Sequence, residues 1–359
     1  MLYYWFFASQ NANDEHITMR SGIAALLAFF LCIFFGGMLI KILQKSGLSE
    51  DVTKTDSDTL RDMHKDKKGI PTMGGIVIIG AVVITSLICA NLFNVYILLA
   101  LFTTVWLGVL GFIDDYIKLT QKHSHGLSSV SKLVFQFGLG LVLGLILYFY
   151  LNHTEGGTNI TIPFLKTAGI YLGGSYVLFV TVFIVGMSNS VNLTDGLDGL
   201  ATGCTIIVAM AVVILCYISG RIDFSSYLQV PYVPGSGELC VVVAALVGAG
   251  MGFMWYNGFP AQMFMGDTGS LAIGGLIAIV AVIIKQEVLL LFIGGVFVLE
   301  SLSVMLQVTV YKLTGRRVFR CAPIHHHFQF KGWHEAKIVS RMWIVSSLLA
   351  ILGLVSLKF

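Results

Sequence analysis

The residues best equipped for chemistry are acids and histidines placed where apolar runs end. Asp114 and Asp115 close the run GVLGFIDDYIK, with Lys118 and Lys122 at i+4 and i+8 from Asp114. Two adjacent carboxylates repel, and keeping both ionised beside a low-dielectric phase calls for a nearby cation. An ordinary i,i+4 ion pair on a solvated helix end is the plainer account. It leaves unexplained why an acidic pair sits at a helix C-terminus, where it opposes the macrodipole. In SNSVNLTDGLDGLATG, Asn192, Asp195 and Asp198 recur every three residues, so a helical turn would align them. Thr194 or Asp195 could simply cap the next helix, but capping accounts for one acid rather than the set.

Asp267 stands in MGDTGS just before another apolar run, followed by Thr268 and Ser270. It could be an N-cap. A helix start also favours phosphate, and a carboxylate is a hard ligand for Mg²⁺. Asn257 and Phe264, just upstream, suit hydrogen bonding and stacking of a flat base. The stretch CAPIHHHFQF carries His325, His326 and His327; in an extended chain the first and third share a face. No further ligand at zinc spacing accompanies them, so contact with phosphate or sugar hydroxyls fits better. KKGIPTMGG offers Lys67, Lys68 and Thr72 beside a Gly pair, without the spacing of a Walker loop. Glu300, Ser303 and Gln307 form a polar seam within an apolar run; an intramembrane acid marks a candidate site, or packs a neighbouring helix.

The elements that must position these groups are membrane helices. Hydrophobic residues make up 56% of the 359 and charged residues only 11%, against about 25% in soluble domains, and mean hydropathy is +0.86. The period-two alternation of a transmembrane barrel is absent, so the fold class is an all-α polytopic membrane protein. Ten spans are expected at 22–44, 72–93, 95–113, 129–151, 168–188, 199–219, 238–257, 268–285, 288–313 and 338–357.

Of the 22 Lys and Arg, seventeen fall on the side bearing connections 45–71, 114–128, 189–198, 258–267 and 314–337. The positive-inside rule makes that side cytoplasmic and both termini external. Every acid named above, and the histidines, then lie at the cytoplasmic face. The net charge of +3 is too small to imply nucleic acid. The six cysteines form no C-x-x-C pair and read as buried apolar residues. The first run lacks a basic leader and cleavage site, so it is expected to be retained. No internal repeat appears, and residues 1–359 read as one membrane domain.

Taken in order, KKGIPTMGG, IDDYIK, NLTDGLDGL, MGDTGSL and APIHHHF resemble the bacterial phospho-N-acetylmuramoyl-pentapeptide transferases (translocase I). These belong to the polyprenyl-phosphate N-acetylhexosamine-1-phosphate transferases. The likeness covers essentially the whole chain. It implies ten spans in the bacterial inner membrane, both termini periplasmic, and a homodimer by family analogy. It implies transfer of phospho-MurNAc-pentapeptide from its UDP-linked precursor to undecaprenyl phosphate, releasing UMP and forming lipid I for peptidoglycan, with Mg²⁺.

By this resemblance Asp114, Asp115, Asp267 and His325 are the catalytic set, with Asp267 the metal ligand. Lys67, Thr72, Asn192, Asp195, Asp198, Asn257 and Phe264 line the nucleoside pocket, and Gln307 lies near the diphosphate. Lys118, Lys122, Ser270, His326 and His327 complete the expected substrate contacts. One departure is Ile70, where that family carries Thr, so a hydroxyl beside the pocket is missing. Direct transfer and a two-step route through an Asp-bound phosphosugar both remain open. A UDP-GlcNAc-using relative is the nearest rival reading. A secondary transporter is the rival from another class, but it predicts mid-membrane charges and repeated halves.

Overall fold

The computed structural model describes residues 16–45, 67, 69–120, 126–151, 157–162 and 169–358. Lys122, expected to contact substrate, and Lys68 lie outside the described residues. Apolar residues recur without long polar interruptions, so the chain folds into stacked helices: α1 (Ile17–Lys45), α2 (Gly75–Cys89), α3 (Val95–Thr120) and α4 (Ser129–Leu151). There follow α5 (Tyr176–Thr194), α6 (Leu200–Ser219), the short α7 (Ile222–Leu228), α8 (Leu239–Asn257) and α9 (Gly266–Ile283). The chain closes with α10 (Glu287–Ile293), α11 (Gly295–Thr314), the six-residue α12 (Ile324–Gln329) and α13 (Glu335–Ser356).

Nine of the described helices are long and apolar enough to cross a membrane, and α2 is a shorter tenth apolar helix of 15 residues. This is an all-α, multi-pass membrane protein. At 1.5 Å per residue α2 covers only about 22 Å, short of the ~30 Å hydrocarbon core. The expected span 72–93 begins instead as irregular backbone. Gly74 and Gly75 donate their N–H groups to Phe264 and Met265 carbonyls (2.9 Å each), and Phe264 N–H donates to Pro71 O (2.9 Å). Non-helical backbone survives at such depth because protein satisfies it.

The core is α9, with sixteen of its eighteen residues buried. It packs on α3, α5 and α2, while α8 packs on α1 and α6. At the periphery, α1 buries only eight of 29 residues and exposes Phe30 and Phe34. Helices α4, α11 and α13 likewise expose large apolar side chains such as Phe149, Met305 and Ile351. Such a surface is stable against lipid, not water.

Other boundaries shift for local reasons. The span expected from 168 starts at Tyr176, because strands β1 (Asn159–Thr161) and β2 (Gly169–Tyr171) pair antiparallel with Ile160 opposite Ile170. The span expected over 288–313 divides at Gly294 into α10 and α11. Helix α3 continues past 113 to Thr120, carrying Asp114, Asp115 and Lys118 within it.

Candidate active site

Helices α3 and α9 approach so closely that glycine is required between them. A Cβ on Gly111 would lie 2.3 Å from the Asp267 carbonyl oxygen; α2 presses on α9 in the same way, where a Cβ on Gly75 would lie 2.1 Å from the Gly269 nitrogen. The Gly111 contact brings the end of α3 to the start of α9. Asp115 then caps α9 from another helix. Its Oδ1 accepts from Asp267 N–H (3.1 Å), and its Oδ2 accepts from Thr268 N–H (2.9 Å) and Thr268 Oγ1 (2.7 Å). A carboxylate at a helix N-terminus satisfies orphan amides and the macrodipole together. Asp267 itself is therefore not the N-cap; it sits in the first turn with its carboxylate turned to other partners.

Those partners are cationic. Lys132 Nζ stands 2.7 Å from both Asp114 Oδ2 and Asp267 Oδ2, and Lys118 Nζ stands 2.7 Å from Asp114 and 3.2 Å from Asp267. Asn192 donates to Asp267 Oδ1 (2.8 Å) and to Ser270 Oγ (2.9 Å), and Asp114 Oδ1 accepts from Leu127 N–H (2.7 Å). Residues 75 to 153 positions apart along the chain thus meet at one point.

A second network borders the first. Lys67 Nζ bridges Asp198 Oδ1 (2.5 Å) and Glu335 Oε1 (2.6 Å), while Asp198 accepts from Ala261 N–H (2.9 Å). The Lys67 ammonium lies 5.9 Å from the Phe264 ring centre. Asn257, buried, accepts from Thr202 Oγ1 (2.7 Å) and donates to Met263 O (3.0 Å).

Between the two networks lies a cavity of about 240 Å³. Lys67, Thr72, Asp115, Lys118, Asn192, Asp195, Asp198, Asn257, Phe264 and Asp267 all line it, each of them expected from sequence. Asp114 stands behind the wall, joined to it through Lys118 and Lys132. Ser270 supports Asn192 rather than facing the cavity.

The alignment of Asn192, Asp195 and Asp198 by a helical turn does not occur. Helix α5 ends at Thr194, and α6 starts only after Gly199, whose φ of +75° belongs to the left-handed region. Asn192 reaches the cavity from the last turn of α5, and Asp195 and Asp198 reach it from the turn that follows. Neither Thr194 nor Asp195 caps α6.

The histidines depart further from expectation. They lie on α12 rather than on extended chain; the His325 and His326 rings lie against each other, tilted by 56° with centres 4.2 Å apart, and each of the three has a different partner. His326 Nδ1 meets Gln329 Oε1 (2.7 Å), and His327 Nδ1 accepts from Arg320 N–H (3.1 Å). Burial first, then the charges of Lys331 and Arg320, lower the His327 pKa. Gln307 clasps the same loop, its Oε1 accepting from Val318 (3.0 Å) and Phe319 (2.9 Å) N–H groups. None of these three lines the cavity. His325 is buried against Glu300, beneath Gly196.

Sequence reading did not single out Lys132 or Glu335. Their signals, a Lys three residues into a helix and an acid opening another, are those of ordinary helix ends. Next to the acids, a groove of about 470 Å³ between α3 and α4 is almost wholly apolar, lined by Trp106, Leu110, Ile113 and Leu127 among others.

The ligand atoms of Asp114, Asp115 and Asp267 lie within 4.8 Å of one another. Among the described residues lining the cavity or paired with its lining, carboxylates outnumber ammonium groups two to one: Asp114, Asp115, Asp195, Asp198, Asp267 and Glu335 against Lys67, Lys118 and Lys132. An all-oxygen donor set with surplus negative charge suits a hard divalent cation such as Mg²⁺.

A family model described as glycosyl transferase family 4 matches residues 97–285, just over half of the chain. The chain belongs to glycosyl transferase family 4. That match makes it a polyprenyl-phosphate sugar-1-phosphate transferase. The matched segment contains Asp114, Asp115, Lys118, Lys132, Asn192 and Asp267. Lys67, Thr72, His325 and Glu335 lie outside it and reach the site through the fold.

Proposed function

We propose that this family 4 transferase moves phospho-MurNAc-pentapeptide from its UDP-linked precursor to undecaprenyl phosphate, at the cytoplasmic face of the bacterial inner membrane. Lipid I and UMP are the products. The observation carrying this reading is the meeting of Asp114, Asp267, Lys118 and Lys132 at one point, beside both a polar cavity and an apolar wall. The polar cavity suits a nucleotide sugar, and the apolar groove next to the acids suits the chain of a lipid acceptor. The five motifs in order favour the muramoyl-pentapeptide donor.

In this reading an oxygen of the lipid phosphate attacks the phosphorus that bears the sugar. The new P–O bond forms as the bond to UMP breaks, and UMP leaves with the electron pair. Such reactions are governed by positioning and charge neutralisation. Bound Mg²⁺, held by Asp267 with Asp114 and Asp115 adjacent, would supply Lewis-acid neutralisation of the diphosphate. Lys118 and Lys132 exchange their carboxylate partners for phosphate oxygens when substrate enters. Asn192 keeps Asp267 oriented. Asp115 holds the first turn of α9 in place, a positioning role. Asp114 orients the acceptor; a phosphate monoester with second pKa near ~6 needs little base help at neutral pH. Phe264 and Lys67 offer a stacking face and a charge to the nucleoside end.

UMP release in vesicles containing undecaprenyl phosphate tests the reading. Release from UDP-MurNAc-pentapeptide, at least about tenfold faster than from UDP-GlcNAc, is expected. Faster release from UDP-GlcNAc would assign the chain to the rival donor. Solute movement without UMP release would favour the transporter.

A further inference from the structure

Helix α13 lies beyond the family-matched segment and exposes much of its apolar surface, yet it grips the turn that presents acids to the cavity. That turn, residues 195–199, joins α5 to α6, and Asp195, Gly196, Leu197 and Asp198 line the cavity. Glu335, in the first turn of α13, holds it at one point. Its Oε1 accepts from the Asp198 backbone N–H (2.7 Å) and from Lys67 Nζ (2.6 Å). Trp343 holds the turn at a second point, its Nε1–H donating to Gly199 O (3.2 Å). About 12 Å of helical rise separates the two points along α13.

These contacts go beyond ordinary helix packing. A first-turn acid commonly serves the macrodipole and amides of its own helix; Glu335 gives its Oε1 to an amide of another element instead. The indole occupies space that a side chain at 203 would take, since a Cβ on Gly203 would lie 2.1 Å from Trp343 Nε1. Gly199 O already accepts from Gly203 N–H (2.9 Å), so the indole is an added tie. A third approach comes from His334, whose ring centre lies 5.4 Å from that of Phe259. Just after Phe259, Ala261 N–H donates to Asp198 Oδ2. Asp198 is thus fixed through its own N–H and both carboxylate oxygens, and Lys67 is shared between two carboxylates that are mostly buried.

We propose that Glu335 and Trp343 are positioning residues: a two-point clamp by which α13 sets the 195–199 turn, and with it Asp198 and Lys67, against the nucleoside end of the sugar donor. This rests on the phosphosugar-transfer reading above. The nucleoside end is remote from the bond that breaks, so its contacts are shared by the ground state and the transition state. Loosening them weakens donor binding without slowing the chemical step. The clamp therefore acts on KM, whereas the groups around Asp267 act on kcat.

The test pairs UMP-release kinetics and UDP calorimetry with hydrogen–deuterium exchange, all on the full chain in nanodiscs. Glu335→Ala should raise KM for UDP-MurNAc-pentapeptide, and weaken UDP binding, by roughly 5–20-fold with kcat within about twofold. It should also speed amide exchange across 195–199 while leaving 266–270 at the wild-type rate. Glu335→Gln keeps an oxygen for the Asp198 amide and should recover part of the affinity and of the protection. Trp343→Phe keeps a ring without the donor, and a KM rise of about threefold is expected. Faster exchange with unchanged KM in Glu335→Ala would make the contact a structural tie only and overturn the proposal. Unchanged exchange, or a loss confined to kcat, would overturn it equally. If wild type releases no UMP from any donor, the functional reading fails, while exchange and UDP binding in the variants still decide the clamp. Should Glu335→Ala not fold, Glu335→Gln and Trp343→Phe carry the decision.

Discussion

Helix α9 carries buried charge at both ends. At its first turn, Asp267 contacts Lys118, Lys132 and Asn192 directly, at the edge of a cavity. Eighteen residues on, about 27 Å along the helical rise, Lys285 and Glu287 are sealed in. Lys285 donates to Gly157 O and to Tyr176 Oη (2.8 Å), with its ammonium 4.3 Å from the Tyr176 ring centre. Both Glu287 oxygens are buried without a hydrogen-bond partner. Burial pushes the Glu287 carboxyl up to about 7, with Lys285 opposing, and pulls Lys285 down to about 8, with Glu287 opposing. One end surrounds its carboxylates with ammonium and amide donors beside open space; the other moves its charges toward neutrality. Buried charge alone therefore does not mark the site. Converging donors around a cavity do.

That contrast can be broken most severely at Asp267. Asp267→Asn keeps the shape and removes one negative charge, and should lower UMP release about a thousandfold while leaving thermal stability close to wild type. Lys132→Met comes next: it leaves Asp114 and Asp267 facing each other with one bridge fewer, and roughly a 10–100-fold loss in kcat is expected. Gly111→Ala attacks the helix contact instead. Forcing α3 away from α9 should cost about 1–3 kcal/mol, seen as a lower Tm accompanied by lost activity.

The opposite end should respond only in stability. Glu287 has a folded pKa raised from 4.5 to about 7, so the folded state holds a proton that the unfolded chain gives up. Its contribution to stability is therefore full below 4.5 and is lost as pH rises to about 7. Lys285, lowered from 10.5 to about 8, acts oppositely, and stability is regained as pH rises from about 8 toward 10.5. Tm of wild type should thus decline between pH 5 and 7 (roughly the window those shifts define). Glu287→Gln should flatten that decline with UMP release unchanged. A lost activity in Glu287→Gln would remove the distinction between the two ends.

Much of this was legible along the chain. Asp114 and Lys118 are one helical turn apart, so their pairing follows from α-helical spacing alone. Asp267 at the start of an apolar run was legible as a candidate, and it stands in the first turn of α9. What the sequence concealed was set by tertiary contact. Lys132 meets Asp267 across 135 positions, and Glu335 reaches Lys67 across 268; neither spacing has a local signature. Asp115 reads as half of an acidic pair, yet its carboxylate is given to the first turn of α9. The His triplet misled because an extended strand and a short helix distribute three consecutive rings differently. The apolar Ile170 and Tyr171 prolonged an expected helix into what is a strand.

Manganese binding, followed by the loss of the free Mn²⁺ electron paramagnetic resonance signal, tests the central claim most directly. One tight site per chain is expected in wild type and in Glu287→Gln, competed by Mg²⁺ and lost in Asp267→Asn. Equal binding by Asp267→Asn and wild type would contradict the account.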